Sequence, residues 1–96
     1  MKYVFHPEAR DEFLRAIDYY ESREPGLGQD FSIEVHDTIE NILSFPNAWP
    51  VLEDDIRRCQ TRRFPFGVIY SQDNDIVLVL AVMHLHRNPD YWKKRL

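Results

Sequence analysis

Arg57-Arg58-Cys59-Gln60-Thr61-Arg62-Arg63, Phe66-Gly67-Val68-Ile69-Tyr70 and Asp75 to about His86 are three successive stretches that read with a period of two. Pro65 separates the first from the second and Gln72-Asp73-Asn74 the second from the third. Proline withholds a ladder donor and Asn and Asp accept turn backbone, so the stretches predict three strands in a meander. Ile76 to Val82 is apolar on both faces, which predicts an interior position as the central strand of the sheet. The same alternation predicts that His84 and His86 share a face with Ile76, Leu78, Leu80 and Val82, and that Met83, Leu85 and Arg87 share the other.

Upstream of this meander the period changes. Tyr3-Val4-Phe5 is a short β-prone run that His6-Pro7 ends, because the residue before proline avoids helical geometry while proline suits a helix's first turn. From Glu8 to about Ser22, Ala9, Phe13, Ile17 and Tyr20 recur at spacings of four and three, and Glu8, Asp11 and Glu12 lie where the helix dipole favours anions. Glu24-Pro25-Gly26-Leu27-Gly28 breaks this helix, and a second follows through Phe31, Val35, Ile39, Ile42 and Leu43. Pro46 and Pro50 stop the second helix, and a connecting loop is expected to about Asp55. The order is β-α-α-β-β-β: an α+β, two-layer domain over residues 1–96, with a mostly antiparallel sheet on a helix hairpin and a short carboxy-terminal tail from Tyr91 to Leu96.

Composition limits the function classes. A chain of 96 residues is too short for two domains with useful cores, and 44% hydrophobic with 14% aromatic residues is enough for one. The single Cys59 forms no internal disulfide, which points to a reducing cytoplasm. No signal-peptide pattern stands at the start, and the longest apolar run, Ile76 to Met83, falls far short of the roughly 20 residues of a membrane span, so a soluble protein without a membrane partner is expected. Net charge is −4, which argues against a general nucleic-acid binder. That average hides a division: residues 1–55 hold 13 acids against 4 bases (−9), and residues 56–96 hold 3 acids against 8 bases (+5). An anion-binding surface is therefore expected in the second half.

The ordered set Arg57-Arg58-Cys59, Arg62-Arg63-Phe64-Pro65-Phe66, Ile69-Tyr70, Val79 to His84, Arg87-Asn88-Pro89 and Tyr91-Trp92-Lys93-Lys94-Arg95 resembles the ParE branch of the RelE/ParE toxins. Phe5-His6-Pro7-Glu8-Ala9 and the Tyr19-Tyr20 pair agree more loosely. The resemblance implies the toxin of a type II toxin–antitoxin pair, of the plasmid-stabilisation kind, held inactive by a cognate antitoxin. RelE-like members cut messenger RNA on the ribosome; ParE-like members are associated with poisoning DNA gyrase and are not hydrolases.

Both readings make residue-level expectations. Metal-free RNA cleavage needs a general base, a general acid and cationic stabilisation of the transition state. Arg62 or Arg63, His84 or Arg87, and Tyr91 are the positions matching a RelE-like nuclease. Against that, Glu34, Asp37 and Glu40 on the second helix would repel a polyanion. The protein-binding reading has Arg57, Arg58, Arg62 and Arg63 engage carboxylates of an acidic antitoxin segment, as a guanidinium fork does well. It adds His86 and the tail, Tyr91, Trp92, Lys93, Lys94 and Arg95, as antitoxin- or target-binding residues. The plainer reading of the arginines is that they solvate an edge strand, and of Trp49 and Trp92 that they anchor packing. His84 and His86, two apart on a strand, could share an ion with Cys59 or His6, but no Cys-x-x-Cys or second spaced His pair completes a site, so neither metal nor cofactor is expected.

Overall fold

His6-Pro7 turns strand into helix as the sequence predicts. Pro7 opens α1 (Pro7–Arg23), and His6 Nδ1 accepts the Glu8 N–H at 3.1 Å, satisfying one of the first-turn donors. The computed structural model describes residues 1–96, and it places β1 (Lys2–Phe5) before this turn and α2 (Leu27–Ser44) after the break at Pro25. Gly26, at φ 90°, precedes α2 without a side chain to cap it. Glu21 of α1 supplies the cap instead, accepting the N–H groups of Gly26 (2.9 Å) and Gly28 (3.0 Å). A Cβ on Gly28 would lie 2.6 Å from the Ile17 carbonyl oxygen, so glycine there allows the two helices to meet backbone to backbone.

The sheet comprises β1, β2 (Val51–Glu53), β3 (Ile56–Gln60), β4 (Phe66–Asp73) and β5 (Ile76–His84), in the order β1-β5-β4-β3-β2. Only β1 with β5 is parallel; the other neighbours are antiparallel. The α+β arrangement of a helix hairpin on a mostly antiparallel sheet is thus the observed one.

Three local features differ from the sequence reading. β2 forms where a loop was expected, so β5 is interior as predicted but β4 is the middle strand. Three residues are too few for alternation to register. The first meander strand ends at Gln60, not Arg63: Thr61 N–H and hydroxyl turn back onto the Phe64 and Phe66 carbonyls, leaving Arg62 and Arg63 on the connecting loop. The third difference is a β-bulge. Ile69 faces Ala81 while the next residue, Tyr70, faces Val79, so Leu80 is an extra residue that advances the alternation by one. Val77, Val79 and Val82 consequently point to the helices, Leu78, Leu80, Ala81 and Met83 point away, and His84 meets Phe66 on the helix side. The shared face predicted for Leu78, Leu80, Val82 and His84 is therefore corrected, and His86 lies beyond the end of β5.

A sheet apolar on both sides needs cover on both. The helices cover one side, where Phe13, Phe31, Val35 and Ile39 meet Val68, Tyr70 and Val79. The other side buries Ile56, Ile69, Leu80 and Met83 beneath Trp92, which is 1% exposed and belongs to a carboxy-terminal 3-10 turn (Tyr91–Arg95). No helix is long and apolar enough to cross a membrane.

Candidate functional site

The residues singled out by sequence separate into three places, and the most connected of them lies between α1, the β5 bulge and the 3-10 turn. Glu12, on the face of α1 turned to the sheet, is 7% exposed. Its Oε1 accepts the Val82 N–H at 3.0 Å and Arg95 Nη1 at 2.9 Å, and its Oε2 accepts Arg95 Nη2 at 3.1 Å and Arg87 Nη1 at 3.2 Å. The Arg95 side chain, 5% exposed, also donates to the Leu80 carbonyl at 3.0 Å and to Glu8 at 3.1 Å. A buried carboxylate is thereby matched by two guanidinium groups and a backbone donor, the condition under which burying charge is tolerable.

Burial works against the Arg95 charge, but the Glu12 hydrogen bonds and field outweigh it and hold the guanidinium above its ordinary pKa. Tyr91 lies under this pair, with the Arg87 guanidinium 3.7 Å and that of Arg95 5.0 Å from its ring centroid. Its hydroxyl is buried without a well-aligned hydrogen-bond partner. Burial first, and the adjacent Glu12 carboxylate second, raise the phenol well above its ordinary pKa. A phenol so placed is a poor proton donor and does not ionise near neutral pH.

The loop arginines occupy a second place. Glu34 of α2 accepts the N–H groups of Arg63 (2.8 Å) and Phe64 (3.0 Å), and its other oxygen lies 3.5 Å from Arg63 Nε, with Asp30 3.8 Å from Nη2. Arg62 is exposed and makes no ion pair within the chain. His84 stands between the two places, its Nδ1 accepting the His86 N–H at 3.1 Å and its ring edge-on to Phe66. The Arg87 N–H donates to the His84 carbonyl at 3.0 Å, but no side-chain hydrogen bond or ion pair joins Arg62, Arg63 or His84 to Arg87 and Tyr91. His6 caps α1 and Cys59 is buried in the helix-side core, its thiol pushed up to about 11 by burial, and neither reaches the histidine pair.

The third place is the edge at β2 and β3. Arg57 points to the helix side and donates to the Trp49 carbonyl at 2.7 Å. Arg58 lies on the opposite face, its aliphatic stem against Gly67, and makes no ion pair. Lys93 bridges Glu53 (2.9 Å) and Asp90 (3.3 Å), tying the 3-10 turn to β2, while Lys94 is exposed. Of the expected interaction residues, then, Arg58, Arg62, His86 and Lys94 present free polar groups, whereas Trp92 and Arg95 are built into the fold. Glu12 was missed by the sequence reading beyond its place in a first turn; a carboxylate on the apolar stripe beside Phe13 was the available sign.

Comparison with known proteins bears on the chain as a whole. A solved structure described as "Chromosomal ParDE TA system from P. aeruginosa" superposes with a TM-score of 0.60, covering 88% of this chain and 94% of that one at 14% identity, a likeness of fold. No curated protein matches. The family described as "ParE toxin of type II toxin-antitoxin system, parDE" matches residues 3–89, which takes in both helices and, but for Lys2, all five strands. The chain belongs to the ParE toxin family of type II toxin–antitoxin systems.

Proposed function

We propose that this chain acts by binding protein rather than by cleaving RNA: it inhibits an essential host protein such as DNA gyrase in the cytoplasm and is neutralised by a cognate antitoxin. The observation that carries this reading is the arrangement around Glu12. Of the tail groups a ribonuclease would use, Arg87 is paired with the buried Glu12 carboxylate, and Tyr91 is covered by the Arg87 guanidinium with its phenol held far from a working pKa. Of the two loop arginines that would face the phosphate, Arg63 is tied to two acids of α2. Net charge of −4 agrees, since docking on a polyanion draws on a basic surface.

The test is expression of the chain with and without the small protein encoded beside it, followed by supercoiling assays on gyrase and mapping of transcript ends. Growth arrest relieved by the neighbour, with inhibited gyrase and intact messages, is the expected outcome. Codon-linked cuts in ribosome-bound messages would establish the nuclease instead. Unimpaired growth with untouched gyrase would leave a toxin retained only as a binding partner.

A further inference from the structure

The rim of the sheet is guarded everywhere except along β1. β2, at the far edge, is three residues long, follows Pro50, breaks register between Val51 and Glu53, and is held by the Lys93–Glu53 pair. Short length, irregular register and proline keep an edge strand from pairing with another chain. The part of β5 that outruns β1 is closed as well, since Glu12 takes the Val82 N–H and Arg95 the Leu80 carbonyl. β1 carries none of these devices. Lys2 and His6 turn their N–H groups inward, to the Asp75 and Val79 carbonyls at 2.9 Å each. Alternation therefore turns the N–H and C=O groups of Tyr3 and Phe5 outward, where no further strand stands.

Both faces of this edge are apolar. Tyr3 and Phe5 are half-buried on the helix side, their rings 5.8 Å apart. Val4, 50% exposed, lies on the opposite face beside the partly buried Leu78. Such an edge takes another strand, and the symmetry of β1 itself selects which. When a second β1 is laid antiparallel about a two-fold axis at Val4, Tyr3 of each copy meets Phe5 of the other. These are the residues with free backbone groups, so each pair exchanges both of its N–H···O bonds and no outward donor is left over. Val4 meets Val4 in the close position between them, and Leu78-Val4-Val4-Leu78 becomes one apolar row across four strands. Lys2, the one charged residue of β1, stays at the end of the pairing. We propose that the free chain forms a two-fold dimer through β1, joining two five-stranded sheets into one of ten strands. The inference goes beyond the inhibitory role and does not depend on which protein the chain inhibits.

Sedimentation equilibrium of the purified full-length chain is the test. The wild type is expected to associate to a dimer and no further, because pairing uses up the open edge. V4K and V4E each set like charges on the axis and are expected to weaken association by at least about tenfold, while an equimolar mixture of the two recovers it. V51K, equally exposed but at the guarded edge, is expected to match the wild type. Circular dichroism checks that the fold survives, and V4C is the second variant should a charge disturb β1. Its thiols on the axis, with Cα atoms about 4.5 Å apart, fall within disulfide reach and are expected to oxidise to a covalent dimer, whereas those of V51C are not. A wild type that stays monomeric overturns the proposal and leaves the edge to a strand of a different protein. Dimers that persist in V4K, a V4K and V4E mixture that stays monomeric, or V4C that does not couple overturns the pairing about Val4.

Discussion

Glu12 shows how a single buried charge organises a surface that sequence pattern describes as an exposed basic tail. The carboxylate and the Arg95 guanidinium are both almost wholly withdrawn from water, and each is tolerable only because the other is present. Replacing Glu12 by Ala leaves the buried Arg95 with only the exposed Glu8 carboxylate and the Leu80 carbonyl as partners, and is expected to destabilise the fold by about 3 kcal/mol in urea unfolding. The paired replacement E12L/R95M is expected to recover most of that loss. If E12A cost no more than a surface substitution, the pair would not be what holds the tail. None of this was legible in sequence, because Glu12 and Arg95 are 83 positions apart and only the packing of α1 on β5 brings them together.

Elements were more legible, with their errors concentrated where local geometry departs from a regular period. α1, α2 and the three long strands follow from periodicity, and Pro7, Pro25 and Pro65 mark real boundaries. The bulge at Leu80 was invisible because an extra residue in an apolar run leaves the composition unchanged while reversing the face of everything after it. Gly28 is a second case: its Pro-Gly surroundings signalled a break, not the close approach of two helices. Gly28→Ala would press a methyl against the Ile17 carbonyl and Glu21, where backbone has little room to yield, and is expected to cost about 1–3 kcal/mol. Exposed glycine-to-alanine changes in helices normally stabilise. A thermal melt that rises for G28A would refute the close contact.

For the whole molecule, burial of titratable groups in the helix-side core sets a limit on the alkaline side. The Cys59 thiol is pushed from 9.0 to about 11 by burial, and Tyr70 from 10.0 to about 12, again chiefly by burial and despite the lowering effect of Arg57. Both bind their protons more tightly in the folded chain, so their contribution is complete below pH 9.0 and is lost as pH rises through 11 toward 12. Each is worth about 2–3 kcal/mol at most. Urea midpoints should therefore hold steady up to about pH 8 and fall steeply between about 9 and 12, and C59A should remove the earlier part of that fall. A midpoint unchanged at pH 11.5 would count against burial of both groups. The sequence by itself determined the class of fold, the helix hairpin, the meander and the opposite charge of the two halves, because these depend on local propensity and on composition. Tertiary structure alone decided which groups remain free. Arg63, Arg87, Lys93 and Arg95 meet acids brought in from other elements, while Asp37 and Glu40 meet none. Pairing is a property of distance in space, and the chain's order carries no record of it.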